Sequence, residues 1–179
     1  MHPAWILGAL AACLVAGALL FVLALARRIK ARHLRFFAVP RPALSPDRGR
    51  IVDAPRALYH GTRFADGVAL LVPDWRDACV GDLWCTEEAI FLQREGSGAL
   101  LVIPLESVRE VALRRGHAKL AGRDLPMLRL RWTRGGELLE SELSMRGGVA
   151  SLEALRREIH LRQKNVAAQL APLLQRPPP

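Results

Sequence analysis

Two groups of basic side chains are the residues of this chain whose types and spacing best suit ligand binding. The first group directly follows an apolar segment and consists of Arg27, Arg28, Lys30, Arg32 and Arg35. The second surrounds His117, is opposed by Asp124, and consists of Arg114, Arg115, Lys119 and Arg123. Such side chains form charge-assisted hydrogen bonds with phosphate oxygens, so the first group is a candidate contact for anionic lipid and the second a candidate anion-binding loop. The alternatives are that the first group only sets membrane topology and that the second is merely solvated.

Catalytic patterns are missing from the sequence. It has no HExxH, no Walker sequence and no serine within a G-x-S-x-G elbow. Gly96-Ser97-Gly98 connects two predicted strands instead of opening a helix, so it does not present a helix N-terminus to a phosphate. Glu87 and Glu88 are adjacent at a bend, where their side chains diverge. We therefore expect a protein that is not an enzyme and that holds no cofactor or metal.

The three cysteines are Cys13, Cys79 and Cys85, and they form neither a CxxC pair nor a Cys/His cluster with zinc spacing. We interpret them as small buried residues in a reducing compartment. The alternative is a disulfide bond between Cys79 and Cys85, which would require an oxidising side of a membrane.

Residues 5–26 form an uncharged apolar segment, WILGALAACLVAGALLFVLALA, that predicts a transmembrane helix. At ~1.5 Å per residue this segment is about 33 Å long, enough for a hydrocarbon core of roughly 30 Å. Only residues 1–4 precede it as a short tail, whereas basic residues crowd its other end, so the positive-inside rule places the C-terminal part in the cytoplasm. The alternative is a cleavable signal peptide, because Ala24-Leu25-Ala26 has the small-x-small form of a cleavage site.

The net charge of +9 is concentrated beside this segment. Residues 27–58 contain nine basic and two acidic residues, which leaves only +2 for the remainder of the chain. A protein that binds nucleic acid would carry its basic surface on the folded domain, so we expect no nucleic-acid partner. The expected partners are the lipid bilayer and an unidentified protein, and the sequence leaves the oligomeric state open.

Residues 27–56 are predicted to be a basic, proline-rich juxtamembrane linker. Its first part mixes His33, Phe36 and Phe37 with the basic residues, a pattern that suits a short helical continuation in the headgroup layer. Proline follows at four positions between residues 40 and 55. We expect an irregular tether that holds the next domain near the membrane without fixing its orientation.

From residue 57 the hydrophobic period changes to two, which predicts antiparallel strands. The seven predicted strands are Leu58–Arg63, Asp82–Thr86, Ile90–Arg94, Ala99–Ile103, Val108–Arg115, Met127–Thr133 and Glu137–Ser144. An amphipathic helix follows over Ser151–Leu170, with Leu152, Leu155, Ile159 and Val166 on its apolar stripe. Residues 57–170 are thus predicted to form one β domain with a C-terminal helix, and residues 171–179 a proline-rich disordered tail.

The last hairpin allows its register to be predicted, because Gly135-Gly136 suits the positive φ angles of a two-residue turn. With this turn Trp132 faces Leu139, Arg131 faces Glu140 and Arg129 faces Glu142. The apolar residues of both strands then share the core face, while two Arg–Glu pairs share a solvated outer face.

The arrangement resembles the pleckstrin-homology (PH) superfold, and more narrowly the small single-span bacterial membrane proteins that carry a PH-like cytoplasmic domain. The segments that carry the resemblance are Tyr59-His60-Gly61-Thr62, Leu83–Gln93, Val102-Ile103-Pro104-Leu105 and Leu128–Trp132. It implies an N-terminal transmembrane helix followed by a mainly-β domain, a seven-stranded antiparallel bent sheet or partly open barrel capped by a C-terminal amphipathic α-helix. With the charge asymmetry, it implies the bacterial inner membrane, the N-terminus outside and the domain in the cytoplasm.

Two functions are compatible with these patterns. The first is a membrane-anchored cytoplasmic binding or scaffold module, without catalysis, for an unidentified partner. The alternative is a peripheral sensor of anionic lipid that uses the juxtamembrane basic segment and the 114–123 loop together. Eukaryotic relatives often bind phosphoinositides through a basic first inter-strand loop. Residues 64–81 of this chain contain one arginine and three aspartates, which argues against headgroup recognition there.

Overall fold

The computed structural model describes residues 4–38, 49–118 and 121–174. Their elements are, in order, α1 (Ala4–Ala38), β1 (Val52–Phe64), α2 (Pro73–Arg76), β2 (Cys79–Cys85), β3 (Ala89–Arg94), β4 (Leu100–Pro104), β5 (Val108–Ala118), β6 (Arg123–Arg134), β7 (Glu137–Ser144) and α3 (Gly148–Leu174). A single 3-10 turn, Leu105–Ser107, connects β4 to β5.

The seven strands form one antiparallel sheet in the order β4-β3-β2-β1-β7-β6-β5. β1 lies at its centre and pairs with β2 on one side and with β7 on the other. β4 and β5 are the two ends of the sheet, which is therefore not closed into a barrel. The prediction of seven antiparallel strands followed by a helix is confirmed.

The β6–β7 hairpin has the predicted register. Gly135 and Gly136 form the turn with φ angles of 58° and 76°, and Trp132 pairs with Leu139. The buried face of the hairpin consists of Leu128, Leu130, Trp132, Leu139 and Leu143. A shift of one residue would turn this whole set to the solvent, so burial and turn geometry select the same register.

α3 packs on the sheet with the predicted apolar stripe. Leu152, Leu155 and Ile159 are all fully buried in the main core. The helix begins at Gly148 rather than at Ser151, because Gly148 adopts a φ of 63° that ends the preceding turn. Gln163 Nε2 donates to the carbonyl oxygen of Val108 at 2.8 Å, which holds α3 against the start of β5.

A chain of hydrogen bonds crosses the core from β6 to α2. Trp132 Nε1 donates to Ser141 Oγ at 3.0 Å, and Ser141 Oγ lies 2.6 Å from Thr62 Oγ1, which in turn contacts the Tyr59 hydroxyl. The Tyr59 hydroxyl donates to the carbonyl oxygen of Trp75 at 2.7 Å. The indole N–H at one end of this series can only donate, and the carbonyl oxygen at the other end can only accept. Each hydroxyl in between must therefore accept a hydrogen bond from one neighbour and donate one to the next. The three buried hydroxyls of Tyr59, Thr62 and Ser141 are thereby satisfied.

β1 is longer than predicted and begins at Val52, inside the segment assigned to the linker. Its first part was missed because it contains Asp53 and Pro55, residue types that are depleted in strands. A bulge between Ala54 and Ala57 accommodates Pro55. Arg56 within the bulge has a φ of 54°, and its backbone N–H donates to Asp82 Oδ1 at 3.0 Å.

α1 continues beyond the apolar segment to Ala38, as the mixture of aromatic and basic residues predicted. Among the described residues it is the one helix long and apolar enough to span a membrane, over Gly8–Phe36 with a mean hydropathy of 2.7. Residues 8–28 are exposed, so the domain does not fold back along them. The prolines at positions 40, 42 and 46 lie outside the described residues, as do residues 175–179. The prediction of a disordered tail from residue 171 is wrong for residues 171–174, because α3 continues to Leu174.

Candidate functional site: the helix dock and the charged face of the sheet

The last part of α1 is packed against the β domain, in a contact that we call the helix dock. On α1 the helix dock consists of Arg32, His33, Arg35 and Phe36. On the domain it consists of Phe64, Asp66, Leu71, Trp75, Arg134 and Glu137. The helical continuation that we expected in the headgroup layer therefore packs against the domain instead, whereas most of the predicted proline-rich tether lies outside the described residues.

Arg32 forms the polar centre of the helix dock. Its Nε donates to Glu137 Oε2 at 2.8 Å, and its NH1 group bonds to Asp66 Oδ2. The guanidinium carbon lies 4.0 Å from the centre of the Phe64 ring, a cation–π contact. Arg35 adds a second ion pair, 2.6 Å from Glu137 Oε1. Partial burial alone would raise the pKa of Asp66, but the hydrogen bonds from Arg32 and from the Val68 N–H and the positive charge of Arg32 together lower the pKa.

His33 lies beside Arg32 and is buried. Its Nδ1 is 2.7 Å from the carbonyl oxygen of Ile29, and its Nε2 accepts the backbone N–H of Leu71 at 2.9 Å. The imidazole also meets the Phe64 ring edge to face, with 5.1 Å between the ring centres. One side chain thus joins α1 to β1 and to the segment after it.

Phe36 forms the apolar part of the helix dock and is only 2% exposed. Its ring meets Trp75 edge to face at 5.3 Å, and the Arg134 guanidinium covers both rings at 5.0 and 5.7 Å. Arg134 Nε also donates to the carbonyl oxygen of Phe36 at 3.2 Å. The carbonyl oxygen of Trp75 also accepts the hydrogen bond from the buried Tyr59 hydroxyl. The helix dock is therefore connected directly to the core.

The structure separates the five basic residues predicted to contact lipid. Arg27, Arg28 and Lys30 are exposed, and none of them pairs with a carboxylate in the part of the chain that the structure describes. Arg32 is turned to the domain and its side chain is only 14% exposed. Arg35 is bound to Glu137 but remains 61% exposed. The first three therefore remain available to headgroups, whereas Arg32 is occupied.

The second basic group does not form one loop. Arg114 and Arg115 are neighbours within β5, so their side chains point to opposite faces of the sheet, and Arg114 is paired with Glu142. Arg123 is exposed at the start of β6, and Lys119 lies outside the described residues. The tip of this hairpin and the helix dock are at opposite ends of β6, about 36 Å apart at ~3.3 Å per residue.

Charged side chains of alternating sign cross the outer face of four strands, in a row that we call the charged ladder. It runs from Glu110 on β5 through Arg131 on β6 and Glu140 on β7 to Arg63 on β1. Arg131 binds Glu110 at 3.0 Å and Glu140 at 3.1 Å, and Arg63 binds the second oxygen of Glu140. Burial alone would raise the pKa of Glu140, but hydrogen bonds from Arg63 and Arg131 lower it.

Two features of this face differ from the prediction. Glu140 and Glu142 are buried, at 5% and 8% exposure, because the long arginine side chains cover them, so the face is not simply solvated. Arg129 is opposite Glu142 in the strand register, but its guanidinium binds Glu110 at 2.9 Å instead. Of the two predicted Arg–Glu pairs, only Arg131–Glu140 is formed by the side chains themselves.

A cleft of about 350 Å³ lies beside the charged ladder and includes His60 and Glu142. His60 Nε2 is 2.9 Å from Ser144 Oγ, a spacing seen in nucleophile–base pairs. However, the Ser144 hydroxyl donates its hydrogen to the carbonyl oxygen of Pro126 at 3.0 Å. His60 must then donate to Ser144 rather than act as its base. Burial lowers the pKa of His60.

The cysteines are free thiols in this structure. Cys79 and Cys85 lie at the two ends of β2, about 20 Å apart at ~3.3 Å per residue, which is too far for a disulfide bond. Both are buried, as interpreted from the sequence, whereas Cys13 is exposed on α1. Burial raises the pKa of Cys85 to about 12. The alternative of a Cys79–Cys85 disulfide is therefore wrong for this fold. No group of three or more potential metal ligands occurs among the described residues.

Sequence reasoning missed the domain half of the helix dock, above all Trp75 and Arg134. The available signal was the spacing of Arg32, His33 and Phe36, which places all three on one side of a helix. Such a stripe predicts that a helix packs against something, but it does not identify a surface that lies up to 105 residues away along the chain.

No known protein-family model matches the chain. No curated protein matches it either. Among solved structures, it is similar to a chain of "The 8S snRNP Assembly Intermediate", with a TM-score of 0.47 and 11% sequence identity over 68% of this chain and 87% of that chain.

Proposed function

We propose that this protein is a non-catalytic, membrane-anchored scaffold module whose PH-like domain lies on the cytoplasmic side of the bacterial inner membrane and binds a protein partner. The observation that carries the proposal is the helix dock. α1 runs without interruption from its apolar segment into the buried contacts of His33 and Phe36. A domain that only had to stay near the membrane would need a tether and no such contact.

The location rests on charge. Arg27, Arg28 and Lys30 remain exposed at the domain end of the apolar segment, where an excess of cations favours the cytoplasmic side. The PH-like assignment is supported by the seven antiparallel strands followed by a packed C-terminal helix. The free, buried thiols are compatible with a reducing compartment.

The absence of catalysis is part of the proposal and rests on the polar groups just described. The carboxylates of the charged ladder are engaged by arginines, and the His60–Ser144 pair has the wrong hydrogen-bond polarity for a base and its nucleophile. A scaffold needs only a surface that is held in place. The helix dock holds the surface of the sheet and of α3 at a defined position relative to the bilayer.

Photo-crosslinking in intact cells tests this function. A photoreactive amino acid is placed singly at exposed positions on separate surfaces, Leu138 on β7 and Val149 and Leu161 on α3. We expect a discrete protein adduct from one surface and not from the others, and less of it when Phe36→Ala weakens the helix dock. Adducts with lipid alone, or equal yields at every position with and without Phe36→Ala, would contradict the proposal.

The second candidate function is the peripheral lipid sensor, which the exposure of Arg27, Arg28 and Lys30 favours. Each cation near an anionic leaflet contributes about 1 kcal/mol. For both basic groups to touch one bilayer, β6 would have to lie along the membrane surface. A fluorophore at Arg123→Cys, in nanodiscs with or without anionic lipid, tests this. Quenching by headgroup-labelled lipid that requires anionic lipid and disappears at high salt would support the sensor.

A further inference from the structure

His33 is a buried titratable side chain whose two ring nitrogens both have hydrogen-bond partners. It is 6% exposed, with Nδ1 2.7 Å from the Ile29 carbonyl oxygen and Nε2 2.9 Å from the Leu71 backbone nitrogen. A carbonyl oxygen can only accept and a backbone N–H can only donate. The ring must therefore carry its hydrogen on Nδ1 and none on Nε2. The helix dock contains a neutral imidazole in a defined tautomer.

A second proton on this ring is incompatible with the docked arrangement. It would attach to Nε2 and point at the Leu71 N–H, so that two donors would face each other. The Leu71 N–H would lose its acceptor in a partly buried contact, which is unfavourable in itself. Either the ring leaves its position or the segment around Leu71 moves away from α1.

The charged groups of the helix dock do not compensate for such a proton. From α1 they are Arg32 and Arg35, from the segment after β1 Asp66, and from β6 and β7 Arg134 and Glu137. The helix dock thus has three cations and two carboxylates before the imidazole is charged. Both oxygens of Glu137 are bound by Arg32 and Arg35. Asp66 uses one oxygen for Arg32 and the other for the Val68 N–H at 3.2 Å.

We propose that His33 is a pH-sensitive latch, which holds the domain on α1 while the imidazole is neutral and releases it when the ring is protonated. Histidine is the side chain whose charge ordinarily changes between about pH 5 and 8. Acidification on the domain side of the membrane therefore frees the domain from α1, and return to neutral pH restores the contact. The latch goes beyond the proposed function, since it operates whatever the domain binds.

Distance measurements on the full-length chain in nanodiscs test the latch. Spin labels are attached at Leu34→Cys on α1 and Val149→Cys on α3, both exposed, in a Cys13→Ala background. Between about pH 8 and pH 5 we expect the equilibrium between docked and released chains to shift by roughly 10-fold or more. A wild-type distance distribution that does not change over this range overturns the proposal.

His33→Gln is the decisive variant, because its amide oxygen can accept the Leu71 N–H but does not titrate. We expect it to stay docked at both pH values, while His160→Gln, an exposed control on α3, responds like the wild type. Equal acid responses of His33→Gln and wild type overturn the latch. If His33→Gln is released at every pH, nitrogen NMR of the wild-type imidazole decides. The neutral Nδ1–H tautomer, with a titration coincident with release, supports the latch, and any other tautomer or a separate midpoint overturns it.

Discussion

The β6–β7 hairpin and the helix dock are both built from arginine–carboxylate contacts beside an aromatic residue, yet they depend on different kinds of information. In the hairpin Arg131 and Glu140 are nine residues apart, and a two-glycine turn brings them together. In the helix dock Arg32 and Glu137 are 105 residues apart, and they meet only when α1 packs on the finished sheet. The first contact is a consequence of local geometry and the second of tertiary packing.

This comparison predicts that the two regions respond differently to mutation. Changes in the hairpin should lower the stability of the whole domain, because its core face is continuous with the main core. Changes on the α1 side of the helix dock should free the domain from α1 and leave its own stability intact.

Trp132→Ala should lower the free energy of unfolding by about 3–5 kcal/mol, because it removes a fully buried aromatic side chain. It also removes the indole N–H that donates a hydrogen bond to the Ser141 hydroxyl. Chemical denaturation of the full-length chain in detergent measures the change. Trp132→Phe is the matched control, since it keeps most of the volume and should cost clearly less. An unchanged stability of Trp132→Ala would contradict the hairpin register.

Phe36→Ala should weaken the docked state by about 1.5–3 kcal/mol, which is the effect of removing a buried phenylalanine side chain. The denaturation midpoint of the domain should remain close to that of the wild type. Spin-label distances between α1 and α3 measure docking, and Leu25→Ala, an exposed position on the same helix that carries no label, serves as the control. A large loss of domain stability in Phe36→Ala would show that the two regions are not separable.

Gly61→Ala should lower stability by about 1–3 kcal/mol. Gly61 has a φ of 102°, and an added Cβ would lie 2.2 Å from the carbonyl oxygen of Arg76 in α2. α2 would have to move and take Trp75 with it, so docking should weaken as well. Gly67→Ala is the matched control, because Gly67 has a φ of 88° with open space around it. Equal effects of Gly61→Ala and Gly67→Ala on docking would show that a change at Gly61 does not reach α1 through α2 and Trp75.

Glu140→Gln should cost about 1–2 kcal/mol at neutral pH, because it removes a buried charge that binds Arg63 and Arg131. Glu153→Gln, whose partner Arg156 is exposed, should change stability by less than about 0.5 kcal/mol. Since folding lowers the pKa of Glu140, its contribution is complete above the ordinary glutamate pKa and is lost as pH falls through the lowered value. Denaturation between about pH 6 and 3 should therefore show a smaller acid loss in Glu140→Gln than in the wild type.

The sequence was sufficient for the parts of the fold that depend on neighbours along the chain. Alternating apolar residues predicted all seven strands, and Gly135-Gly136 predicted the pairing of Trp132 with Leu139. The start of β1 was not predictable in this way, because Pro55 and a bulge interrupt the alternation. The burial of Glu140 was missed for a related reason, since its second partner, Arg63, comes from β1, 77 residues earlier.

The helix dock was predictable only in part. The mixture of aromatic and basic residues after the apolar segment indicated a helical continuation, which is confirmed, but we assigned its aromatic face to the headgroup layer. Lipid headgroups and a protein surface with carboxylates and aromatic rings attract the same side chains. Only the fold shows that Asp66, Glu137 and Trp75 converge where Arg32 and Phe36 can reach them.

If α1 holds the domain in one orientation, the distance between a label on α1 and a label on α3 has a single value. We would measure this distance first, at neutral pH, between spin labels at Leu34→Cys and Val149→Cys. The full-length chain in a Cys13→Ala background is measured in nanodiscs, with Phe36→Ala as the comparison. We predict one narrow distance distribution that broadens in Phe36→Ala. A broad distribution already in the unmutated helix dock would mean that the domain moves freely on its linker, and the account of a fixed scaffold would be wrong.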